Sequence, residues 1–261
     1  MIVIRTSREI ALLREAGRIT GIARTAAKEA LRVGMTTAEL DAAVARAIEQ
    51  EGAKSNFKGY HGYPAHICVS VNEQVVHGIP GPRRLESGDV VSVDLGAVYR
   101  GYHGDSAFTV ALGATSERVK ELIQVTEECL AVGLATARPG RHVGDISHAV
   151  ESLARSHGFG VVREFVGHGI GREMHEEPQV PNYGVPGEGP RLREGMVLAI
   201  EPMITLGDEA VRVLDDGWTV VTEDGSVAAH FEHTVVVGDP PEVLTLEPGE
   251  RAELRGAVLD A

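Results

Sequence analysis

The stretch Val90–Thr109, VVSVDLGAVYRGYHGDSAFT, decides how this chain is read. Val90, Val91 and Val93 predict a buried strand, Tyr99-Arg100-Gly101 a turn, and Ala107-Phe108-Thr109-Val110 the returning strand. With the turn centred between Tyr99 and Arg100, Asp94 and Asp105 are equally far from it and lie opposite each other. Opposed residues of an antiparallel pair share a face, with Cβ atoms roughly 4.5–5.5 Å apart. Two carboxylates that close among apolar neighbours repel, so one is protonated or a cation lies between them. A single such pair reads as a solvated turn. This chain carries the pattern twice.

Outward from the hairpin the chain divides into two similar halves. Thr6 with Glu9 and Thr36 with Glu39 form capping boxes, each ahead of an apolar stripe, and Gly52 stops the second helix. Thr115–Gly158 repeats this opening. Asp145, Ile146, Ala149, Val150 and Gly158 fall where Glu39, Leu40, Ala43, Val44 and Gly52 fell, at a constant offset of 106. Gly195–Glu201 echoes Gly88–Asp94, and Phe231-Glu232 echoes Gly104-Asp105 at the end of a strand pair expected to include Trp218–Thr222. Val76-His77-Gly78-Ile79 recurs as Gly167-His168-Gly169-Ile170. Two copies predict one pseudo-symmetric α/β domain, with an antiparallel or mixed sheet, helices outside and a cleft where the halves meet. The halves are placed at about 1–112 and 113–240, and the tail from Gly238 reads as a short strand and a loose end.

A net charge of −13 argues against a nucleic-acid coat protein, which needs a basic face, and suits cation binding. No apolar run approaches the ~18 residues of a membrane span, and no charged-then-apolar leader follows Met1. With Cys68 and Cys129 as the only cysteines, reduced thiols in a cytoplasm are expected.

The chemistry-bearing set is Asp94, Asp105, His168, Glu201 and Glu232. Four carboxylates and one imidazole are too acidic for a structural zinc and too many for one ion. They suit two divalent ions, manganese, iron, cobalt or zinc, that activate a water and polarise the group attacked. His77 and His175 sit in loops near the cleft, where they can touch substrate or an oxyanion. His103, His230 and His233 flank the acidic residues, His61 and His66 can line an entrance, and His142, His148 and His157 read as surface. No HExxH zinc pattern, phosphate loop or serine elbow is present.

Together, Tyr60-His-Gly-Tyr-Pro64, Asn72-Glu73, His77-Gly-Ile-Pro80, Asp94, His103-Gly-Asp105, Gly167–Gly171, His175-Glu-Glu-Pro178, Ile200-Glu-Pro-Met203, Asp216-Gly-Trp218 and Phe231-Glu-His-Thr234 resemble the bacterial type I methionine aminopeptidases, from about Ile10 to Leu246. The resemblance implies the pseudo-twofold pita-bread fold. It also implies removal of the initiator methionine by attack of a metal-bridging hydroxide on the first peptide bond. By motif it makes Asp94, Asp105, His168, Glu201 and Glu232 the ligands of two divalent ions, with Asp105 and Glu232 bridging. Glu201 then also shuttles the proton of the water. His77 and His175 become the substrate-contacting histidines, and Tyr60, Tyr63, Cys68 and Trp218 the methionine pocket. Phe57 and Met174 depart from the residues that bacterial relatives often carry at the pocket, and Leu95-Gly96 departs after the first Asp. The implied partner is a peptide or nascent-chain N-terminus. A ribosome is compatible with that role, a membrane is not, and a monomer is the expectation. Two other readings remain: a proline-specific peptidase of the same fold, and a non-catalytic binding protein, which would typically have lost metal ligands.

Overall fold

The structure, a computed structural model, describes residues 1–250. Helices α1 (Ser7–Ala30) and α2 (Thr37–Gln50) begin at the expected capping boxes, where Thr6 and Thr36 exchange bonds with Glu9 and Glu39. The second pair, α3 (Glu117–Thr136) and α4 (Val143–Ser156), repeats the arrangement. The Asp145 carboxylate accepts the His142 N–H at 2.7 Å, as Glu39 does for Thr36. Gly52 and Gly158 both end their helices with a φ of +72°, a conformation that glycine adopts without strain.

The strands are β1 (Lys54–Ser55), β2 (Ile67–Val71), β3 (Gln74–Val76), β4 (Val90–Tyr99), β5 (Tyr102–Ala111), β6 (Gly160–Val161), β7 (Gly167–Gly169) and β8 (Glu176–Val180), followed by β9 (Val197–Ile200), β10 (Met203–Thr205), β11 (Val211–Val213), β12 (Val220–Thr222), β13 (Ala228–His230), β14 (Glu232–Val236) and β15 (Glu242–Val243). Nine of them form the main sheet in the order β1-β4-β5-β14-β9-β7-β8, with β2 also on β4 and β15 on β14. Its pairings are antiparallel. The hairpin of the first half and the β9–β14 pair of the second therefore meet at the β5–β14 seam. Two pairs of helices and two strand pairs around one seam make this the pseudo-twofold pita-bread fold.

Strand periodicity then separates core from site. Val91, Val93, Leu95, Leu198, Ile200 and Val235 pack with Ile19, Leu40, Leu134 and Ile146 of the four helices in one core. The alternate residues Asp94, Ala199 and Glu232 consequently point to the opposite face of the sheet.

Two expectations need correction. Arg100 and Gly101 form a two-residue turn with φ of +49° and +78°, so Tyr99 faces Tyr102 and the hairpin centres one residue later than expected. Positive φ at both positions matches the twist of the flanking strands, which is why this turn forms. Asp94 thus lies opposite Ala107 and Asp105 opposite Gly96. The two aspartates are diagonal neighbours on one face, with room for an ion between them. Secondly, β14 pairs with β9, whereas Val220–Thr222 belongs to a separate three-stranded sheet with β3 and β11.

The tail is less loose than its composition suggests. After the short strand β15, Leu244 is 7% and Thr245 0% exposed. Thr245 bonds the Thr234 N–H at 3.1 Å. Glycine at 17 lets Leu244 lie against α1: a Cβ there would meet the Leu244 carbonyl oxygen at 2.5 Å. Gly17→Ala should lower stability by about 1–3 kcal/mol through this overpacking, with thermal unfolding as the readout. An unchanged midpoint would mean the tail detaches freely. Residues 251–261, which include the end of the tail read as loose from Gly238 on, lie outside the described residues.

Candidate metal centre and active site

The sheet register collects the acidic residues. Asp94 faces Ala107, and Ala107 faces Glu232. Asp105 is two residues from Ala107, so it shares their face. His168 faces Ala199, which faces Thr234, two residues from Glu232. Glu201 lies two residues beyond Ala199, just past the end of β9. Five residues, four from β4, β5, β14 and β7 and one from the end of β9, therefore converge on one spot. Asp105, His168 and Glu232 each offer an atom within 4.8 Å of the others. Glu201 Oε1 lies 3.5 Å from His168 Nε2, and Asp94 lines the same cavity.

This cluster is buried and acidic. Asp105 is 3% and Glu232 2% exposed. Asp94 Oδ1, Asp105 Oδ1 and Glu232 Oε1 are buried without a hydrogen-bond partner. Burial, with Glu201 adding to it, pushes the Asp94 carboxyl up to about 7. Burial alone takes Glu201 to about 8. Asp105 and Glu232 are also raised well above the carboxylate range, by burial and then by each other's neighbours Asp94 and Asp105. Orphaned buried oxygens on mutually repelling acids are what a bound cation would satisfy. The donor set fits hard divalent ions.

His168 is set for the same task. Its Nδ1–H donates to the Gly169 carbonyl at 2.9 Å, leaving the Nε2 lone pair towards the carboxylates. Burial, reinforced by His175, depresses its pKa to about 3, so the ring is neutral. His77 is depressed to about 4, mainly by burial. It stands edge-on to Phe165 and to Trp218. His175 is also lowered by burial. The Tyr60 hydroxyl, kept protonated by burial, bonds His175 Nδ1 at 2.7 Å. As a donor to the neutral ring, it leaves the His175 proton on Nε2.

Beside the carboxylates the cavity becomes apolar. Its free space, counted out to the open mouth, is about 590 Å³. Phe57, Tyr63, Cys68 and Met174 form a buried cluster, with Tyr60 and Trp218 packed on it. Tyr63 meets Trp218 edge to face at 5.0 Å and donates to the Ile67 and Gly78 carbonyls, both at 3.1 Å. Burial keeps the Cys68 thiol protonated, so it is a wall of the cavity and not a nucleophile.

Asp94, Asp105, His168, Glu201, Glu232, His77, His175, Tyr60, Tyr63, Cys68 and Trp218 all line this one cavity, whereas His61 and His66, expected at an entrance, do not. The flanking histidines are sorted by the structure. His230 Nε2 reaches Glu201 Oε2 at 3.6 Å, whereas His233 is taken up by Thr245 and Ser106. His66 pairs with Asp41 at 2.8 Å and does not line the cavity. Phe57 and Met174, noted in the sequence only as departures, are part of the apolar wall. The resemblance had already placed these two positions at the pocket.

Comparison with known proteins matches this geometry. The model of metallopeptidase family M24 matches residues 11–239. Methionine aminopeptidase 1 of Bacillus subtilis is 51% identical over 237 residues, covering 91% of this chain and 96% of the relative. The methionine aminopeptidase of Clostridium perfringens is 49% identical, covering 94% and 99%. The crystal structure of methionine aminopeptidase from Thermotoga maritima superimposes with a TM-score of 0.93 at 47% identity, covering 95% and 100%. The prolidase of Pyrococcus furiosus gives 0.78 at 26% identity, and this chain covers 66% of it. With these similarities spanning nearly its whole length, the chain belongs to metallopeptidase family M24 and, within it, to the methionine aminopeptidases.

Proposed function

We propose that this chain removes methionine from the N-termini of peptides and nascent proteins, using two divalent ions held by Asp94, Asp105, His168, Glu201 and Glu232. One observation carries the reading: buried, partnerless carboxylate oxygens and a neutral His168 face an apolar slot in the same cavity. When bound, the ions would supply an acidified water and polarise the scissile carbonyl. Asp105 and Glu232, from the two sides of the seam, would be among the residues that hold both ions. Glu201 takes and returns the proton of the attacking water. His77 and His175 hold the scissile amide and meet the charge that develops on its oxygen. Phe57, Tyr60, Tyr63, Cys68, Met174 and Trp218 form a slot suited to an unbranched thioether.

The same reading makes residues 1–261 one catalytic domain of two halves, meeting near residue 112. It places a monomer in the cytoplasm, where nascent chains and ribosomes are found. Among the described residues no helix is long and apolar enough to cross a membrane.

The test is methionine release from Met-Ala-Ser by chelator-stripped protein, with and without added manganese or cobalt. Release is expected only with metal, at least 10³-fold above the stripped sample. Preference for Ala-Pro peptides would redirect the reading to a proline-specific peptidase. Folded protein that binds no divalent ion would point instead to a non-catalytic binding role.

A further inference from the structure

The β5–β14 seam, where the two halves join, is held in an unusual way. Its backbone register covers only Glu232 opposite Ala107 and His233 opposite Ser106. On either side a threonine hydroxyl bonds both polar groups of the opposite residue's backbone. Thr234 Oγ1 accepts the Asp105 N–H at 3.0 Å and donates to the Asp105 carbonyl at 2.9 Å. Thr109 Oγ1 does the same for His230, at 2.9 and 2.7 Å. Thr234 is 0% and Thr109 3% exposed. The two clasps flank the two register pairs of the seam, but only one grips an acidic site residue. The Ser106 hydroxyl, from the other strand, donates to the Glu232 carbonyl at 2.6 Å.

We propose that Thr234 is a positioning residue for the metal centre: its clasp on the Asp105 backbone, with Ser106 on Glu232, fixes the spacing of the two carboxylates across the seam. The proposal rests on the reading that Asp105 and Glu232 share bound ions. The physical basis is direct. Two bonds to one oxygen hold both peptide groups flanking the Asp105 Cα, and so the direction of its Cβ. An ion pair bridged by two carboxylates tolerates little error in that direction. Groups that orient ligands commonly carry 10–100-fold in metal affinity.

Thr109 supplies a comparison, because it makes the same kind of clasp on His230, which is outside the ligand set although its ring lies 3.6 Å from Glu201. Stripped wild type, Thr234→Val, Thr234→Ser and Thr109→Val should be titrated with Co²⁺ by calorimetry and by visible absorption, alongside thermal unfolding. Thr234→Val loses two buried hydrogen bonds and Thr109→Val a third, to Ser92 at 2.8 Å, so both should melt earlier, Thr109→Val at least as much. Only Thr234→Val should lose at least tenfold in affinity for the weaker ion and alter the cobalt absorption bands. Thr234→Ser should bind within about threefold of wild type. Equal affinity losses in the two Val variants, or none in Thr234→Val, would reduce the clasp to a structural role. Should Thr234→Val not fold, Thr234→Cys, whose thiol bonds are longer and weaker, must lose at least threefold for the proposal to stand. Failure of wild type itself to bind Co²⁺ would remove the site reading and the proposal with it.

Discussion

Replacing Glu201 by Gln lowers kcat for methionine release from Met-Ala-Ser by about 10³- to 10⁴-fold. Gln keeps the shape of the side chain, and the fold should survive. What it removes is a group that can hold or give up a proton near neutral pH. With no ion bound, burial raises the Glu201 carboxyl to about 8, so this side chain can carry a proton inside the cavity. Its oxygens lie 3.5 Å from His168 Nε2 and 3.6 Å from His230 Nε2, so the carboxylate is held within the site. Acid–base catalysis contributes up to about 10⁴-fold, or about 5 kcal/mol of barrier. Metal content measured on the same sample separates this loss from weakened ion binding. A fully loaded, folded Glu201→Gln enzyme within tenfold of wild type would show that another group moves the proton.

Stripping the ions should make stability depend steeply on pH. A carboxyl whose folded pKa is raised binds its proton more tightly in the folded state. Its stabilisation is complete below the unfolded pKa and disappears as pH rises through the folded one. For Asp94, at about 7, and Glu201, at about 8, that window runs from about pH 4 to 8. The stripped protein should therefore lose about 5 kcal/mol between pH 5.5 and 8.5, or roughly 10–20 °C in midpoint for a chain of this size. Ions bound to the carboxylates replace the protons, so manganese-loaded protein should show little of this fall. Thermal scans of both forms across the range provide the measurement. Parallel curves would mean the acidic cluster is neutralised some other way.

Much of this was legible in the residues, because helix caps and strand alternation are local. Thr6, Thr36 and their glutamates marked the helices, and the repeated order of His-Gly-Ile and acidic positions marked the duplication. The placement of the hairpin turn was not legible to within one residue, because Tyr99, Arg100 and Gly101 all tolerate turns. Two consecutive positive φ values decided it. The partner of Glu232's strand was also hidden. Val220–Thr222 and Val197–Ile200 are equally apolar, and only packing in three dimensions selects the latter. Cys68 and Trp218 entered the slot through motif resemblance, since neither carries a local signal of its own. The Thr234 clasp escaped notice entirely, because a threonine in a strand is ordinary until its partner across the seam is known.

The seam also governs when the protein can first work. Asp105 and Thr234, bonded to each other, are separated by 129 positions in the chain. At about 5–20 residues per second of synthesis, the first hairpin waits roughly 6–26 s for its counterpart to be made. During that wait β5 has an open edge and two aspartates without their second set of partners. Closing so long a loop is entropically costly and places the protein among topologies that fold slowly. Activity should thus appear only after β14 has been made, when Glu232 and Thr234 can reach the first hairpin.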